Sequence, residues 1–198
     1  MKIHLPGPIS YQLPEEPFAG IALVGEAPGA DEVKQNQPFV GRSGQLLNKV
    51  IEAAGLKREH LLIANVFRYQ PPGNKVDHFF LSQRAAKAAG IELDLSRGKF
   101  GSTYVQAQFS PEIDYLVATL KKYKPKAIVA VGRTPLWALT GLSGITAQRG
   151  QWLENRLIPE IPVIATYHPS YVIRGNWHLQ DDMVADLQAA MQLHRKAA

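Results

Sequence analysis

Four short runs of consecutive apolar residues are spread along the chain. They cover residues 21–25, 60–66, 126–132 and 162–166. Continuous apolar runs of this length are typical of strands that are buried on both faces of a parallel sheet. Segments with helical spacing separate the runs, and strands that alternate with helices indicate an α/β fold. We therefore predict one three-layer α/β/α domain over residues 1–198, with a central, mostly parallel four-stranded sheet.

The segments between the runs predict several helices and two irregular stretches. Predicted helices cover residues 43–54, 79–89, 111–124, 134–139 and 177–195. The first of them carries apolar residues at helical spacing on one face, and Gly55 follows it as a common helix stop. Residues 1–20 are rich in Pro and Gly and predict an arm that lies on the domain. Residues 75–110 form the least regular part, which we expect to be mainly loop beyond its short helix.

Polar residues come directly after three of the predicted strands. Gly25-Glu26-Ala27-Pro28-Gly29 opens a long loop after the first strand, Asn65 lies at the end of the second, and His168 follows the fourth. In an open α/β sheet the carboxyl ends of parallel strands lie along one edge, where ligands bind. We therefore expect these three polar clusters to converge on one site.

Charge and hydropathy limit the partners and the compartment. The formal net charge is +5 and the pI is about 9.4, which fits a polyanionic partner such as DNA and equally a mildly basic enzyme without one. No apolar stretch approaches the ~20 residues that span a bilayer. Residues 1–8 lack the apolar core of a signal peptide. We expect an intracellular, cytoplasmic location and no membrane partner.

The chain contains no cysteine. Disulfides, thiol nucleophiles and cysteine-ligated metal or iron–sulfur sites are therefore excluded. Six histidines are present, but none of them pair at the short spacing of a zinc site. We expect neither a metal nor another cofactor.

Three groups of residues at the predicted strand ends resemble the motifs of the family-4 uracil-DNA glycosylases. The first joins Gly-Glu-Ala-Pro-Gly at 25–29 to Pro-Phe-Val-Gly-Arg-x-Gly-x-Leu-Leu at 38–47. The second is Asn-Val-Phe-Arg-Tyr-Gln-Pro-Pro-Gly-Asn-Lys at 65–75. The third joins Arg-Gly-Gln-Trp at 149–152 to Thr-Tyr-His-Pro-Ser-Tyr-Val-Ile-Arg at 166–174. The resemblance implies a base excision repair enzyme that removes uracil from DNA and leaves an abasic site.

One departure from that family is large. Its members usually hold a four-iron cluster through four cysteines, and Tyr69 stands where the second motif normally carries a ligand. The segment 75–110 is also longer than the family leads us to expect. Aromatic side chains of this insert would replace the cluster by packing, or they are ordinary core residues. The residues concerned are Phe79, Phe80, Phe100, Tyr104 and Phe109.

Hydrolysis of an N-glycosidic bond within DNA requires a flipped base, a stabilised leaving anion and a water at the sugar carbon. Phe39 is a candidate stacking platform for the pyrimidine ring. The Asn65 carboxamide offers a donor and an acceptor, which match the N3–H and O4 edge of uracil and mismatch cytosine. His168 is the candidate donor to O2 of the leaving base. The resemblance implies that Glu26 positions or activates the water; alternatively, Glu26 only shapes the loop.

The resemblance also implies further contacts to the base. Glu32 matches the family position thought to exclude thymine at C5 of the base, and Gly29 matches a position where a related family has a tyrosine barrier. Gly25 and Ala27 complete the predicted set of base-binding residues.

Contacts to the DNA backbone are predicted at two places. The helix that begins near Ser43 offers backbone amides to a phosphate. The loop after His168 resembles one that fills the gap left by the flipped base, although Val172 would alternatively pack beneath the C-terminal helix. The predicted DNA-binding residues are Ser43, Gly44, Ser170, Tyr171, Val172 and Arg174.

The leading interpretation is a uracil-DNA glycosylase that acts as a monomer on single- or double-stranded DNA. One alternative is a glycosylase for another modified pyrimidine base, with a pocket widened around C5. A second is a DNA-binding relative with little activity. A third is covalent trapping of the abasic sugar by His78, whose neighbours lack the basic run of the branch that does this.

Overall fold

The sheet that organises the fold has five strands. A computed structural model describes residues 4–196, so residues 1–3 and 197–198 of the predicted domain lie outside the described part. The described residues form seven strands in two sheets: β1 (Ile21–Gly25), β2 (Leu62–Asn65), β3 (Phe80–Leu81), β4 (Tyr104–Val105), β5 (Ala127–Val131), β6 (Trp152–Leu153) and β7 (Val163–Thr166). The central sheet has the order β2-β1-β5-β7-β6, while β3 and β4 form a separate antiparallel ribbon.

The four predicted strands are confirmed, and they run parallel to one another. The predicted strand count of four was one too low, because β6 pairs antiparallel with β7 at the edge of the sheet. This strand has only two residues, and Trp152 is exposed. A strand so short leaves no period in the sequence from which it could be predicted.

Eight helices surround the sheet in the described part of the chain. They are α1 (Ala30–Gln35), α2 (Arg42–Ala53), α3 (Gln83–Ala89), α4 (Ser110–Tyr123), α5 (Arg133–Thr140), α6 (Ile145–Gln148), α7 (Pro169–Ile173) and α8 (Gln180–Lys196). Two predicted helices begin later than expected. Residues 177–179 form a 3₁₀ turn before α8, and α3 begins only after Ser82, whose hydroxyl accepts a hydrogen bond from the Ala85 amide at 3.2 Å.

The core lies on both faces of the sheet, which confirms the three-layer α/β/α class. Every residue of the four parallel strands is buried. Helices α2, α7 and α8 pack with one set of strand side chains, and α4 and α5 pack with the other. The carboxyl ends of the parallel strands therefore emerge between the two helical layers.

Four of the five aromatic residues named in the 75–110 segment, Phe79, Phe80, Phe100 and Phe109, join the main core, and Tyr104 does not. Phe79 lies 4.2 Å from Phe67, measured between ring centroids. Phe80 stacks on Phe100 at 4.3 Å and meets Trp137 edge-on at 5.1 Å. They are thus core residues, and through them the insert is fixed to the helix that follows β5.

The N-terminal arm lies along β2 and the segment after it. Gln12 and Ile63 exchange two backbone hydrogen bonds at 2.9 Å, and the Ile9 amide donates to the Arg68 carbonyl at 2.9 Å. The Gln70 amide donates to the Pro6 carbonyl at 2.8 Å.

Within residues 4–196, no helix has the length and apolarity required to cross a membrane.

Candidate active site

A cavity of about 420 Å³ opens at the carboxyl ends of β1 and β2, beside the start of α7. It brings together the three polar clusters that sequence analysis expected to converge. The predicted site residues that line it are Glu26, Ala27, Gly29, Glu32, Phe39, Ser43, Asn65, His168, Ser170 and Arg174. Gly25, Gly44, Tyr171 and Val172 are not among its lining residues.

Glu26 follows directly after β1 and is held by a residue that sequence analysis missed. Its Oε2 accepts a hydrogen bond from the hydroxyl of Thr134, which is fully buried in the first turn of α5. Burial raises the pKa of Glu26, whereas the Thr134 hydrogen bond and the nearby Arg133 cation act in the opposite direction. Gly132-Arg133-Thr134 follows β5 as a fourth polar strand end, so the rule applied to the other three would have found it.

His168 caps α7 and is fixed in one tautomer. Ser170 donates its backbone N–H to Nδ1 at 3.1 Å, and its hydroxyl lies 2.8 Å from the same atom. Because Nδ1 accepts a hydrogen bond, the neutral ring carries its proton on Nε2. Burial, with a smaller effect of the Arg174 cation, lowers the pKa of His168 to about 4. At neutral pH the cavity therefore contains an uncharged imidazole whose Nε2–H has no partner among the described residues.

Phe39 and Asn65 meet above Gly25. A Cβ placed on Gly25 would lie 2.4 Å from Cζ of Phe39 and 2.5 Å from Oδ1 of Asn65, so only glycine leaves room for both side chains. The Phe39 ring centroid is 6.0 Å from that of His168. The Asn65 main-chain carbonyl accepts a hydrogen bond from the Tyr11 hydroxyl at 2.8 Å. The Asn65 carboxamide has no hydrogen-bond partner in the described part of the chain and is left for a ligand.

Glu32 holds the loop between β1 and α2 together. Its Oε2 accepts from the Gly29 amide at 3.0 Å, and its Oε1 accepts from the amides of Val40 and Gly41 at 3.0 and 2.9 Å. The carboxylate is therefore engaged with three backbone donors on the two sides of α1. Its predicted role at C5 of the base stays a prediction, and its structural role in the loop is the one that the contacts show.

We expect Glu32→Gln to lower the free energy of unfolding by about 1–3 kcal/mol, because a carboxamide has one acceptor oxygen and would turn an NH₂ group toward a backbone donor. Urea unfolding measures this difference. Asp31→Asn, an exposed neighbour in the same helix, is the matched control and should cost less than about 1 kcal/mol. Equal stability of the two variants would contradict a stabilising role of the hydrogen bonds between Glu32 and the loop amides.

The predicted backbone contacts fall into different environments. Ser43 lines the cavity. Gly44 is buried against the Phe39 backbone, and a Cβ there would lie 1.9 Å from the Phe39 carbonyl oxygen. Ser170 lines the cavity and also holds the His168 ring. Arg174 is exposed at the rim.

The prediction that Val172 enters the DNA was wrong. Its side chain is completely buried and packs with the core on the α2 and α8 face of the sheet. The short helix α7 turns Val172 inward and leaves Tyr171 as the exposed residue, with 44% of its surface accessible. The alternative in which Val172 packs beneath the C-terminal helix is the one that the structure shows.

The residues at the cluster position of the family do not fit an iron–sulfur cluster. Tyr69 replaces a ligand, and the chain has no cysteine that could supply one. The N-terminal arm passes close to this residue. A Cβ placed on Gly7 would lie only 3.1 Å from the Tyr69 Cα. The adjacent Arg68 pairs with Glu112 at 2.8 and 3.0 Å and lies 3.6 Å from the centre of the Tyr115 ring. Noncovalent contacts hold this segment.

Among the described residues, no group of three or more His, Cys, Asp or Glu side chains is arranged to hold a metal ion. The groups that line the cavity are the Glu26 carboxyl group, the neutral His168 imidazole, the Phe39 ring and the Asn65 carboxamide. The expectation that the protein needs no cofactor stays a prediction.

Comparison with known proteins shows similarity to uracil-DNA glycosylases over most of the chain. The uracil DNA glycosylase superfamily matches residues 15–192. The type-4 uracil-DNA glycosylase of Thermotoga maritima is 30% identical over 182 residues, which span 89% of this chain and 78% of the relative. That of Archaeoglobus fulgidus is 33% identical over 161 residues, or 78% of this chain and 67% of the relative. That of Pyrobaculum aerophilum is 28% identical over 161 residues, or 78% and 68%.

Proposed function

This chain belongs to the uracil-DNA glycosylase superfamily, and from that premise we propose that it hydrolyses the N-glycosidic bond of uracil in DNA, leaving an abasic site for base excision repair. The observation that carries the proposal is the convergence of four side chains with complementary chemistry on one cavity. These side chains are Glu26, Phe39, Asn65 and His168.

Base recognition uses the two side chains that meet above Gly25. The flipped uracil stacks on Phe39, since an aromatic face accepts any pyrimidine ring. The free carboxamide of Asn65 donates to O4 and accepts from N3–H of uracil. Cytosine presents an amino group and an unprotonated N3 at these positions, so it leaves both polar atoms of the carboxamide unmatched. Tyr11 supports this geometry by holding the main-chain carbonyl of Asn65.

Stabilisation of the leaving base is assigned to His168. Negative charge develops on O2 as the glycosidic bond breaks, and the Nε2–H donor meets that charge in a site where reorganisation is small. The neutral form of the ring is the one present at pH 7, because the pKa of His168 lies at about 4. Ser170 sets the direction of the donor by occupying Nδ1.

Water positioning is assigned to Glu26. Its ionised carboxylate orients a water toward the sugar carbon and stabilises the positive charge that forms there as the base departs. Thr134 is a positioning residue, because it contacts Glu26 and does not line the cavity. Its hydrogen bond keeps the carboxylate in one rotamer and favours the charged form.

We expect Thr134→Val to move the acid limb of kcat/KM to higher pH. The hydroxyl stabilises the ionised Glu26, so its removal raises the pKa of a carboxyl group that burial already raises. A pH profile of uracil release measures the shift. Thr134→Ser keeps the hydroxyl and should retain the profile of the native protein. A limb that stays in place or moves to lower pH in Thr134→Val would contradict this role.

A panel of oligonucleotides tests the proposed reaction. Single- and double-stranded DNA carrying uracil, hypoxanthine, cytosine, thymine or 5-substituted uracils is incubated with the protein, and abasic sites are then cleaved with alkali. We expect cleavage at uracil and none at cytosine or thymine. Cleavage only at a bulkier base would favour another modified-base glycosylase, and tight binding without cleavage would favour a DNA-binding relative.

We further infer that one copy is the active unit, as a single domain over residues 1–198 that works on DNA in the cytoplasm. One chain supplies all four side chains of the proposed site, Glu26, Phe39, Asn65 and His168, which supports a monomer. Light scattering at assay concentrations checks this, with a mass near 21.9 kDa expected.

A further inference from the structure

A second, smaller cavity lies next to the active-site cavity and carries an exposed indole. It has a volume of about 210 Å³ and is lined by Arg42, Gln45, Leu46, Lys49, Ile173, Trp177 and Gln180. Trp177 belongs to the 3₁₀ turn before α8, and 55% of its surface is accessible. It is the most exposed of the large hydrophobic side chains in the described part of the chain.

The chemistry of this cavity suits a nucleobase with its phosphate. Trp177 offers an aromatic face, and Leu46 and Ile173 add apolar surface on α2 and α7. Arg42 and Lys49 supply two cations, while no acidic residue lines the cavity. Bases that stack on aromatic side chains beside a cationic track are the usual arrangement for single-stranded nucleic acid.

The position of the cavity connects it to the substrate of the active site. Arg42 lines both cavities, so the two are neighbours at this residue. A nucleotide flipped into the first cavity remains joined to its neighbours on the same strand. A flanking nucleotide can therefore reach the second cavity while its phosphate passes Arg42.

The acidic residues at the start of α8 do not oppose this use. Asp182 pairs with Arg149 at 3.0 Å, and neither Asp181 nor Asp182 lines the cavity. The charge that faces a bound strand in this cavity comes from Arg42 and Lys49.

We propose that Trp177, with Arg42 and Lys49, forms a stacking subsite for an unpaired base that flanks the excised nucleotide on the same strand. This inference rests on the proposed function, since it assigns the polymer that the active site acts on. It also assigns a preference: a flanking base is free to stack only when it is unpaired, so the subsite favours single-stranded over double-stranded substrate.

Binding to an uncleavable oligonucleotide tests the subsite without requiring activity. Fluorescence anisotropy is measured for a single-stranded 15-mer with a central tetrahydrofuran abasic analogue and for a series shortened from either end. We expect Trp177→Ala to weaken binding of the 15-mer by about tenfold, the size of one lost base–aromatic stack. Trp177→Phe should recover most of that loss. The difference should vanish when shortening from one particular end removes the stacked nucleotide.

Trp152→Ala is the matched control, because Trp152 is also exposed, at 43%, and lines neither cavity. It should bind all oligonucleotides as the native protein does. Equal affinity of Trp177→Ala and Trp152→Ala for the 15-mer would overturn the subsite, and so would a loss that persists at every length. A native protein that binds with the expected length dependence but releases no uracil would overturn the proposed function alone.

Discussion

His168→Ala is expected to slow uracil release by ~10²–10³-fold, the usual loss when one donor to a developing anion is removed. The substrate KM should change little, because the donor meets a charge that is present mainly in the transition state. Single-turnover excision from a uracil-containing strand measures the rate. The imidazole is held by Ser170 and is neutral at pH 7, so the loss should be nearly constant from pH 6 to 8.

His78→Ala is the matched control for this variant. His78 is exposed and does not line the cavity, so its removal should leave the rate unchanged. Denaturing gel electrophoresis of the native protein with uracil-containing DNA should show no SDS-stable protein–DNA adduct. A His168→Ala protein that excises uracil at the native rate would contradict the assignment of the donor. If the native protein forms such an adduct and His78→Ala loses both the adduct and the activity, the covalent alternative is supported.

Gly25→Ala is expected to reduce kcat/KM by ~10²-fold or more, since displacement of a reacting group by ~1 Å costs that much. The added methyl would meet Phe39 at 2.4 Å and Asn65 at 2.5 Å, so both the stacking platform and the carboxamide must move. KM should rise and kcat should fall, because ground-state binding and orientation of the base depend on the same two side chains. Excision kinetics on single-stranded uracil DNA measure the loss.

Gly41→Ala provides the comparison for that substitution. A Cβ at Gly41 would lie 3.2 Å from Oδ2 of Asp31, an exposed side chain that can move, and 3.4 Å from Oε1 of Glu32, which is ordinary van der Waals contact. Its effect on kcat/KM should be far smaller. Gly25→Ala with native kinetics and a native melting temperature would show that the close approach of Phe39 and Asn65 to Gly25 is not required for catalysis.

The parallel strands could be predicted because each is buried on both faces and therefore consists of consecutive apolar residues. The convergence of the polar loops followed from the rule that parallel strands share one carboxyl edge. Thr134 could have been predicted by the same rule. Strand β6 could not, because two residues with an exposed Trp152 give no alternation that distinguishes a strand from a loop.

The side-chain roles inside the loops were harder to predict than their location. Nothing in the spacing of Glu32 indicates that both of its oxygens accept from backbone amides up to nine residues away. Val172 and Tyr171 are adjacent, and only the exact turn of α7 decides which of them is buried. The contact of Gly25 with Phe39 and Asn65 joins three parts of the chain, so it appears only after folding.

Release of free uracil is the step that distinguishes a glycosylase from a protein that only binds uracil-containing DNA. The protein is mixed in excess over a uracil-containing single strand in the presence of EDTA, and the free base is quantified by mass spectrometry. We predict one free uracil per strand and a DNA backbone that stays intact until alkali is added. A strand that binds the protein but retains its uracil would contradict the account.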